Sequence, residues 1–326
     1  MNGGAGVLAT LAPAKVNLTL RILGRRADGF HDLESLVAFA PFGDRLALRV
    51  DPELGLAVSG PTASGAGLLA DNLVLRAAQA LASRIDGLKL GRFTLTKRLP
   101  AGAGLGGGSS DAAAALRLLA QANGLGLDDA PIREAARATG ADVPVCLDPR
   151  PRLMRGIGDV LSAPLALPKL GIVIVHPGIA VPTGPVFTAL GLAPGERRAE
   201  PAWTAGGGTP ALQFFAHPQA GKGSLGKGAR DARGPGQRER DEREALLAWL
   251  ADQSNDLESA AIAIASPIAD VLGAITDLAG CRLSRMSGSG SSCFGLFDSA
   301  RAALTAAHQL ALARPDWWVR AGRVGG

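Results

Sequence analysis

Tyrosine is absent from this chain, and aromatic residues of every kind make up only 4% of it. No aromatic-interleaved basic strand of the RNA-recognition kind is present, although the formal net charge is +5. Much of the basic excess lies in one segment, and an anionic small molecule suits the charge equally well, so no nucleic-acid partner is expected. Cysteine is scarce too. Cys146, Cys281 and Cys293 are widely spaced, with no Cys-x-x-Cys and no nearby histidine pair. That argues against a zinc site or a disulfide framework and suits a reducing cytosol. No apolar run approaches about 18 residues, so no membrane span is expected. Met1 to Ala14 lacks the basic residues that a signal peptide places ahead of its apolar stretch. A cytoplasmic protein is expected, and nothing here fixes its oligomeric state.

What the chain has in abundance is glycine and alanine. Pro100 to Ala115 reads Pro-Ala-Gly-Ala-Gly-Leu-Gly-Gly-Gly-Ser-Ser-Asp-Ala-Ala-Ala-Ala. Glycine lets backbone amides turn toward a ligand without Cβ obstruction, and alanine is the best helix former. A helix is therefore expected from Asp111 onward, with its first free N–H groups facing the glycine loop. A helix N-terminus behind inward-pointing amides suits phosphate, so a nucleotide or another polyphosphate is the expected ligand.

Two common phosphate motifs fit poorly. Gly102 and Gly107 have P-loop spacing, but Gly108 stands where the lysine must be. Gly102, Gly104 and Gly107 match the dinucleotide fingerprint Gly-x-Gly-x-x-Gly. That motif needs an apolar strand before it and an acid at the end of a second strand about 20 residues on. Here Lys97-Arg98-Leu99-Pro100 precedes the loop, and Asp128 and Asp129 sit in the turn after the helix.

Elsewhere, strand-like alternation appears at Val16–Leu20, Arg45–Val50 and Phe93–Thr96. Helical spacing runs from Asn72 to Ile85 with Asp71 as a plausible N-cap, and a further helix is expected near Ile132–Ala138. Gly171–Val175 reads as a buried strand opening a second domain, and Leu296 and Phe297 close another. Strands and helices without steady alternation favour an α+β fold. The domain boundary is expected in the proline-bearing stretch Leu161–Pro168, giving domains 1–165 and 166–326. Residues 191–244 combine glycine with mixed charge and few apolar side chains, and are expected to form a flexible insertion.

The pattern Pro-x-x-x-Gly-Leu-Gly-x-x-Ser-Ser-x-Ala-Ala resembles the phosphate loop of the GHMP kinases, a family of small-molecule kinases. Four further segments match in order and spacing: Ala12–Leu18, Gly24–His31, Gly140–Pro144 and Ser287–Ser291. The agreement covers Pro13 to Phe187 and resumes from Asn255 to about Phe297. The triple glycine and the Gly-Phe-His segment resemble one branch in particular, whose small-molecule acceptor carries a cytidine diphosphate. The resemblance implies an N-terminal domain like the second domain of ribosomal protein S5 and a ferredoxin-like C-terminal domain. It also implies ATP and Mg²⁺.

On that resemblance Asp142 is the general base, and Lys15 is its partner, steadying charge on the transferred group. By residue type alone Asp142 would be a turn aspartate and Lys15 a solvent-facing strand lysine. Asn17, two residues on and so on the same strand face, helps orient the substrate. Pro100, Ala101, Gly102, Ala103, Gly104, Leu105, Gly106, Gly107, Gly108, Ser109 and Ser110 form the nucleotide loop. Within it the Gly102–Ser110 amides cradle phosphate, and the two serine hydroxyls meet phosphate or Mg²⁺ or cap the helix. Asn72 resembles an adenine contact. His31 corresponds to a cytosine contact, Phe30 to an aromatic stacking on the base, and Phe187 to a second aromatic wall or a core residue. Gly288, Ser289 and Gly290 are expected to close over the acceptor's diphosphate. No metal-ligating side-chain set is expected. A sibling kinase acting on homoserine or mevalonate, a catalytically silent nucleotide-binding regulator and a basic RNA-binding protein remain the rivals at this point.

Overall fold

The computed structural model describes residues 6–65, 67–198 and 235–326. The chain opens with strands β1 (Leu8–Asn17), β2 (Arg21–Arg25), β3 (His31–Val50) and β4 (Gly55–Ser59). Helix α1 (Leu73–Ala82), β5 (Gly91–Thr96), α2 (Gly107–Asn123), α3 (Ala130–Thr139) and α4 (Val143–Leu147) follow. Next come β6 (Arg152–Gly156), β7 (Val160–Leu161), β8 (Leu170–His176) and α5 (Thr183–Thr188). The remainder holds α6 (Pro235–Ala251), α7 (Glu258–Ile264), α8 (Pro267–Thr276), β9 (Leu283–Met286), β10 (Cys293–Phe297), α9 (Ala300–Ala313) and β11 (Trp318–Val324). Among the described residues no helix is long and apolar enough to cross a membrane.

Packing divides the chain into two units. One takes residues up to Val16 with Ala40–Pro149, and the other takes Asn17–Phe39 with residues from Arg150 onward. Strand β3 carries the chain from the second unit into the first, and its 20 residues span roughly 65 Å. Its first half pairs with β2 and β6, and its second half pairs with β5.

In the first unit β5 lies between β3, antiparallel, and β4, parallel, with α1 as the β4–β5 crossover. Alternate residues of β5 (Gly91, Phe93, Leu95) face the core. On the other side of that core, Val74, Ala77, Ala78 and Leu81 of α1 are fully buried. So are Ala112 through Leu116 of α2. Alanine makes this possible, because small side chains let neighbouring helices approach on several sides.

The second unit contains the β2–β3–β6–β7 pairings and a separate four-stranded antiparallel sheet in the order β11-β8-β10-β9. With α8 before β9 and α9 between β10 and β11, that sheet has the split βαβ arrangement of a ferredoxin-like domain. Every residue of β8 is buried, as expected of a central strand covered by helices.

Three local expectations change. The N-cap of α1 is Asn72, whose Oδ1 accepts from Val74 N at 3.0 Å, and Asp71 makes no such bond. Helix α2 begins at Gly107, four positions before the expected Asp111, so the last glycines of the loop form its first turn. The 191–244 segment lies mostly outside the described residues, but both of its described ends form regular contacts. Arg25 N donates to Glu196 O and Arg198 N to Leu23 O, each at 2.8 Å. Arg238–Glu244 belong to α6, which docks through buried Leu246, Leu247 and Leu250.

Candidate active site

The glycine loop owes its shape to alternation. Gly102, Gly104 and Gly106 have φ of 63°, 72° and 63°, while Ala103 and Leu105 between them are buried. Only glycine adopts such angles without a steric penalty, so the loop winds over its two apolar anchors with its backbone turned outward. Gly106 is the N-cap of α2, and Ser110 N already donates to Gly106 O at 2.8 Å. The amides left for an anion at the helix start are therefore those of Gly107, Gly108 and Ser109. Ser110 does not face a ligand either. It is buried, and its hydroxyl donates to Pro13 O at 2.6 Å, pinning α2 to β1. Ser109 is the serine that stays available. Pro100 and Ala101 form the approach to the loop. Asn72 commits its oxygen to the α1 cap, so a ligand contact from its side chain would fall to the amide nitrogen.

Lys15 and Asp142 do come together. Lys15 Nζ lies 2.8 Å from Asp142 Oδ2. The backbone N–H of Lys15 donates to Leu105 O at 2.9 Å, so the lysine is stitched to the loop itself. Its stem runs past Gly106, where an added Cβ would stand 3.1 Å from Lys15 Cβ. Asp142 precedes α4 but makes no side-chain cap bond, so its carboxylate serves the lysine instead. Behind the pair sits Cys146, whose buried thiol is pushed up to about 12 and is inert.

A second charged cluster was not anticipated. Buried Lys97 bonds to Asp44 and lies 2.7 Å from Asp111 Oδ2. Asp44 also accepts from Leu99 N at 2.9 Å. Lys97 precedes the glycine loop and Asp111 follows it, so the trio staples the two ends of the loop together. Burial, seconded by the like charge of Asp44, outweighs the pull of Lys97 and pushes the Asp111 carboxyl up to about 7. Asp111 Oδ1 is buried without a partner among the described residues. The available signal was position alone: one lysine and one aspartate flanking a glycine run.

In the second unit, buried Asn17 donates from Nδ2 to Ser35 Oγ at 2.7 Å and from its backbone to Ser287 Oγ at 3.1 Å. A substrate contact from its side chain therefore falls to Oδ1. His31 and Phe187 meet with ring centroids 4.8 Å apart and planes tilted by 43°. Phe187 is only half-buried, and Val186 is the residue of α5 that enters the core. Phe30 follows the Asp28–Gly29 turn and is 57% exposed. Burial, then the charges of Arg25 and Arg198, hold the His31 imidazole below its ordinary range. It is neutral at pH 7 and offers one donor and one acceptor. Neither arginine was singled out by the sequence reading, which had no way to know that residues 195–198 lie along β2.

Gly288, Ser289 and Gly290 form the tip of the β9–β10 hairpin, which Ser287 N closes by donating to Ser292 O at 2.9 Å. Gly288 has φ of 63°. Among the described residues, none of the amides from Gly288 to Ser291 donates to a backbone carbonyl. Adjacent amides on a glycine turn can form a concavity suited to an anion.

A glycine-rich anion loop at a helix start, with a lysine–aspartate pair stitched to it and a ferredoxin-like second unit, is the equipment of a small-molecule kinase. The chain belongs to the GHMP kinase family: the GHMP kinases N terminal domain matches residues 72–148 and the GHMP kinases C terminal domain matches residues 238–314. It is 55% identical over 309 residues to the 4-diphosphocytidyl-2-C-methyl-D-erythritol kinase of Xanthobacter autotrophicus, covering 95% of this chain and 96% of that one. A crystal structure of 4-(cytidine 5'-diphospho)-2C-methyl-D-erythritol kinase matches with a TM-score of 0.71 and 34% identity, covering 98% of this chain and 100% of that one. A homoserine kinase from Cytophaga hutchinsonii matches with a TM-score of 0.64 but 19% identity, over 97% of this chain and 94% of that one, a likeness of fold alone.

Proposed function

We propose that this chain transfers the γ-phosphoryl group of ATP to the 2-hydroxyl of 4-diphosphocytidyl-2-C-methyl-D-erythritol, a step of the non-mevalonate isoprenoid pathway. The observation that carries the chemistry is the 2.8 Å Lys15–Asp142 pair fastened to the glycine loop. The acceptor oxygen attacks the γ-phosphorus as Asp142 takes its proton, and the bond from phosphorus to the ADP oxygen breaks. Lys15 counters negative charge on the group in transit. The amides of Gly107, Gly108 and Ser109, at the positive end of α2, hold the β- and γ-phosphates.

Asn72 offers its amide nitrogen to adenine. His31 reads the cytosine edge, with Phe30 and Phe187 as its aromatic walls. Asn17 orients the acceptor, and the amides of Gly288, Ser289 and Gly290 take its diphosphate. Mg²⁺ enters on ATP. Among the described residues no group of three or more His, Cys, Asp or Glu is placed to hold a metal. The fit is to an ion carried by phosphate oxygens, with the Ser109 hydroxyl as the available protein ligand. When bound, it neutralises phosphate charge. We assign nucleotide handling to residues 1–165 and the ferredoxin-like part to 166–326. The two family matches support this, since each falls inside one segment.

ATP turnover against a panel of acceptors tests the reading. Turnover is expected with the cytidine-diphosphate acceptor and not with homoserine or mevalonate. A preference for either of those would overturn it.

A further inference from the structure

The hairpin loop Ser287–Ser292 consists of glycine and serine alone. Such a chain loses the most freedom on ordering and has the least intrinsic reason to hold one shape. It is nevertheless tied at successive points. Ser287 Oγ accepts from Asn17 N at 3.1 Å, and Ser289 Oγ donates to Thr183 Oγ1 at 2.9 Å. Ser291 Oγ donates to Ile179 O and lies 3.1 Å from His176 Nδ1. Gly288 has no side chain to tie, and it is held from outside. Asn255 Nδ2 donates to both Met286 O and Gly288 O, each at 2.8 Å.

Asn255 has little freedom of its own. It is 6% exposed, and its Oδ1 accepts from Leu257 N at 3.0 Å. On either side of it, Leu20 N donates to Ser254 O at 3.0 Å and Asp256 N to Leu20 O at 2.8 Å. Asp256 Oδ2 accepts from Ile22 N at 2.9 Å, and Glu258 Oε2 accepts from Met286 N at 2.8 Å. The carboxamide thus projects from a tied segment onto a glycine of the hairpin that has no side chain to anchor it.

We propose that Asn255 is a positioning residue for acceptor recognition, setting through Gly288 O the direction of the amides that receive the acceptor's diphosphate. The link is the peptide plane. The Gly288 carbonyl and the Ser289 N–H belong to one planar trans unit and point in opposite directions. A bond that draws the carbonyl toward Asn255 aims that N–H away from it, toward the open face of the turn. A residue that merely shaped the turn into the following helix would need only the Oδ1 bond to Leu257 N; the two Nδ2 donations are additional. The proposal rests on the reading of the Gly288–Gly290 turn given above.

Asn255→Asp in the full chain separates the two roles, because it keeps the acceptor for Leu257 and the side-chain volume while losing both donations. Steady-state kinetics should show KM for the cytidine-diphosphate acceptor raised roughly 10- to 100-fold, with KM for ATP within about twofold of the parent. Hydrogen exchange should quicken at the Ser287 amide, whose bond to Ser292 O closes the turn. A folded variant with unchanged exchange and unchanged acceptor KM would overturn the proposal, and so would equal weakening of ATP and acceptor. Faster exchange with an unchanged acceptor KM would show that Asn255 orders the turn but that the turn does not read the acceptor. In that case the assignment of Gly288–Gly290 fails and the proposal fails with it. If Asn255→Asp does not fold, Asn255→Gln, which keeps the carboxamide on a longer stem, should show the same split to a smaller degree.

Discussion

Lys15 Nζ stands 2.8 Å from Asp142 Oδ2, with the lysine side chain 4% exposed and the aspartate 38% exposed. The asymmetry matters. A buried ammonium needs its counter-charge, whereas the carboxylate keeps part of itself open to an incoming hydroxyl. Asp142→Asn should therefore lower kcat by roughly 10²- to 10⁴-fold while KM for ATP changes little. It should also lower Tm, because Lys15 loses its compensating charge. Steady-state kinetics on the folded variant decide the matter, and near-normal turnover would remove Asp142 from the mechanism.

Phe30 and His31 lie on one turn, and His31 meets Phe187. Replacing Phe30 and His31 together with alanine should raise KM for the cytidine acceptor far more than KM for ATP. Equal weakening of both ligands would mean that the pair shapes the fold and not a base pocket. Because the His31 pKa is lowered, acceptor binding by the parent should hold steady from pH 8 down to its ordinary 6.5 and weaken only below that.

The Lys97–Asp44–Asp111 staple predicts an unusual pH response. The Asp111 carboxyl is pushed up from 3.8 to about 7. Between those values the folded protein holds a proton that the unfolded chain has released, so this group's contribution to stability declines as pH rises through the window. Asp111→Asn lacks the titration. Melting curves at several pH values should show the Tm of the parent falling relative to the variant from about pH 4 to 7. Parallel curves would mean that Asp111 stays ionised throughout.

Residues 221–234 lie outside the described residues and contain none of the groups assigned a role here. Loop-closure entropy varies slowly with length, so removing them should change stability by about 1 kcal/mol or less. The deletion stops short of Pro235 because α6 begins there. Tm and turnover close to those of the parent are expected. Loss of turnover in a protein that still melts cooperatively would identify the segment as part of the active site.

Much of the glycine loop was legible because its physics is local. The glycines that take positive φ and the alanines that propagate a helix act within a few residues of themselves. Even so, the helix start was misplaced by four positions, since Gly107 and Gly108 are poor helix formers that the packing of α2 recruits into its first turn. Ser109 and Ser110 look alike in the sequence, and burial alone separates them. The hydroxyl of Ser110 is consumed by Pro13 O.

The sequence by itself determined the α+β class, the order of the motifs, the glycine-then-alanine pattern of Pro100–Ala115 and the kinase family. The tertiary structure decided which of those residues meet. It joined Lys15 to Asp142, enclosed Lys97 between Asp44 and Asp111, laid residues 195–198 along β2 and set Asn255 beneath the Gly288 turn. Backbone preference is written into each residue and its near neighbours. A charge pair or a double hydrogen bond between distant segments exists only once the core has folded and excluded the water that would otherwise satisfy those groups.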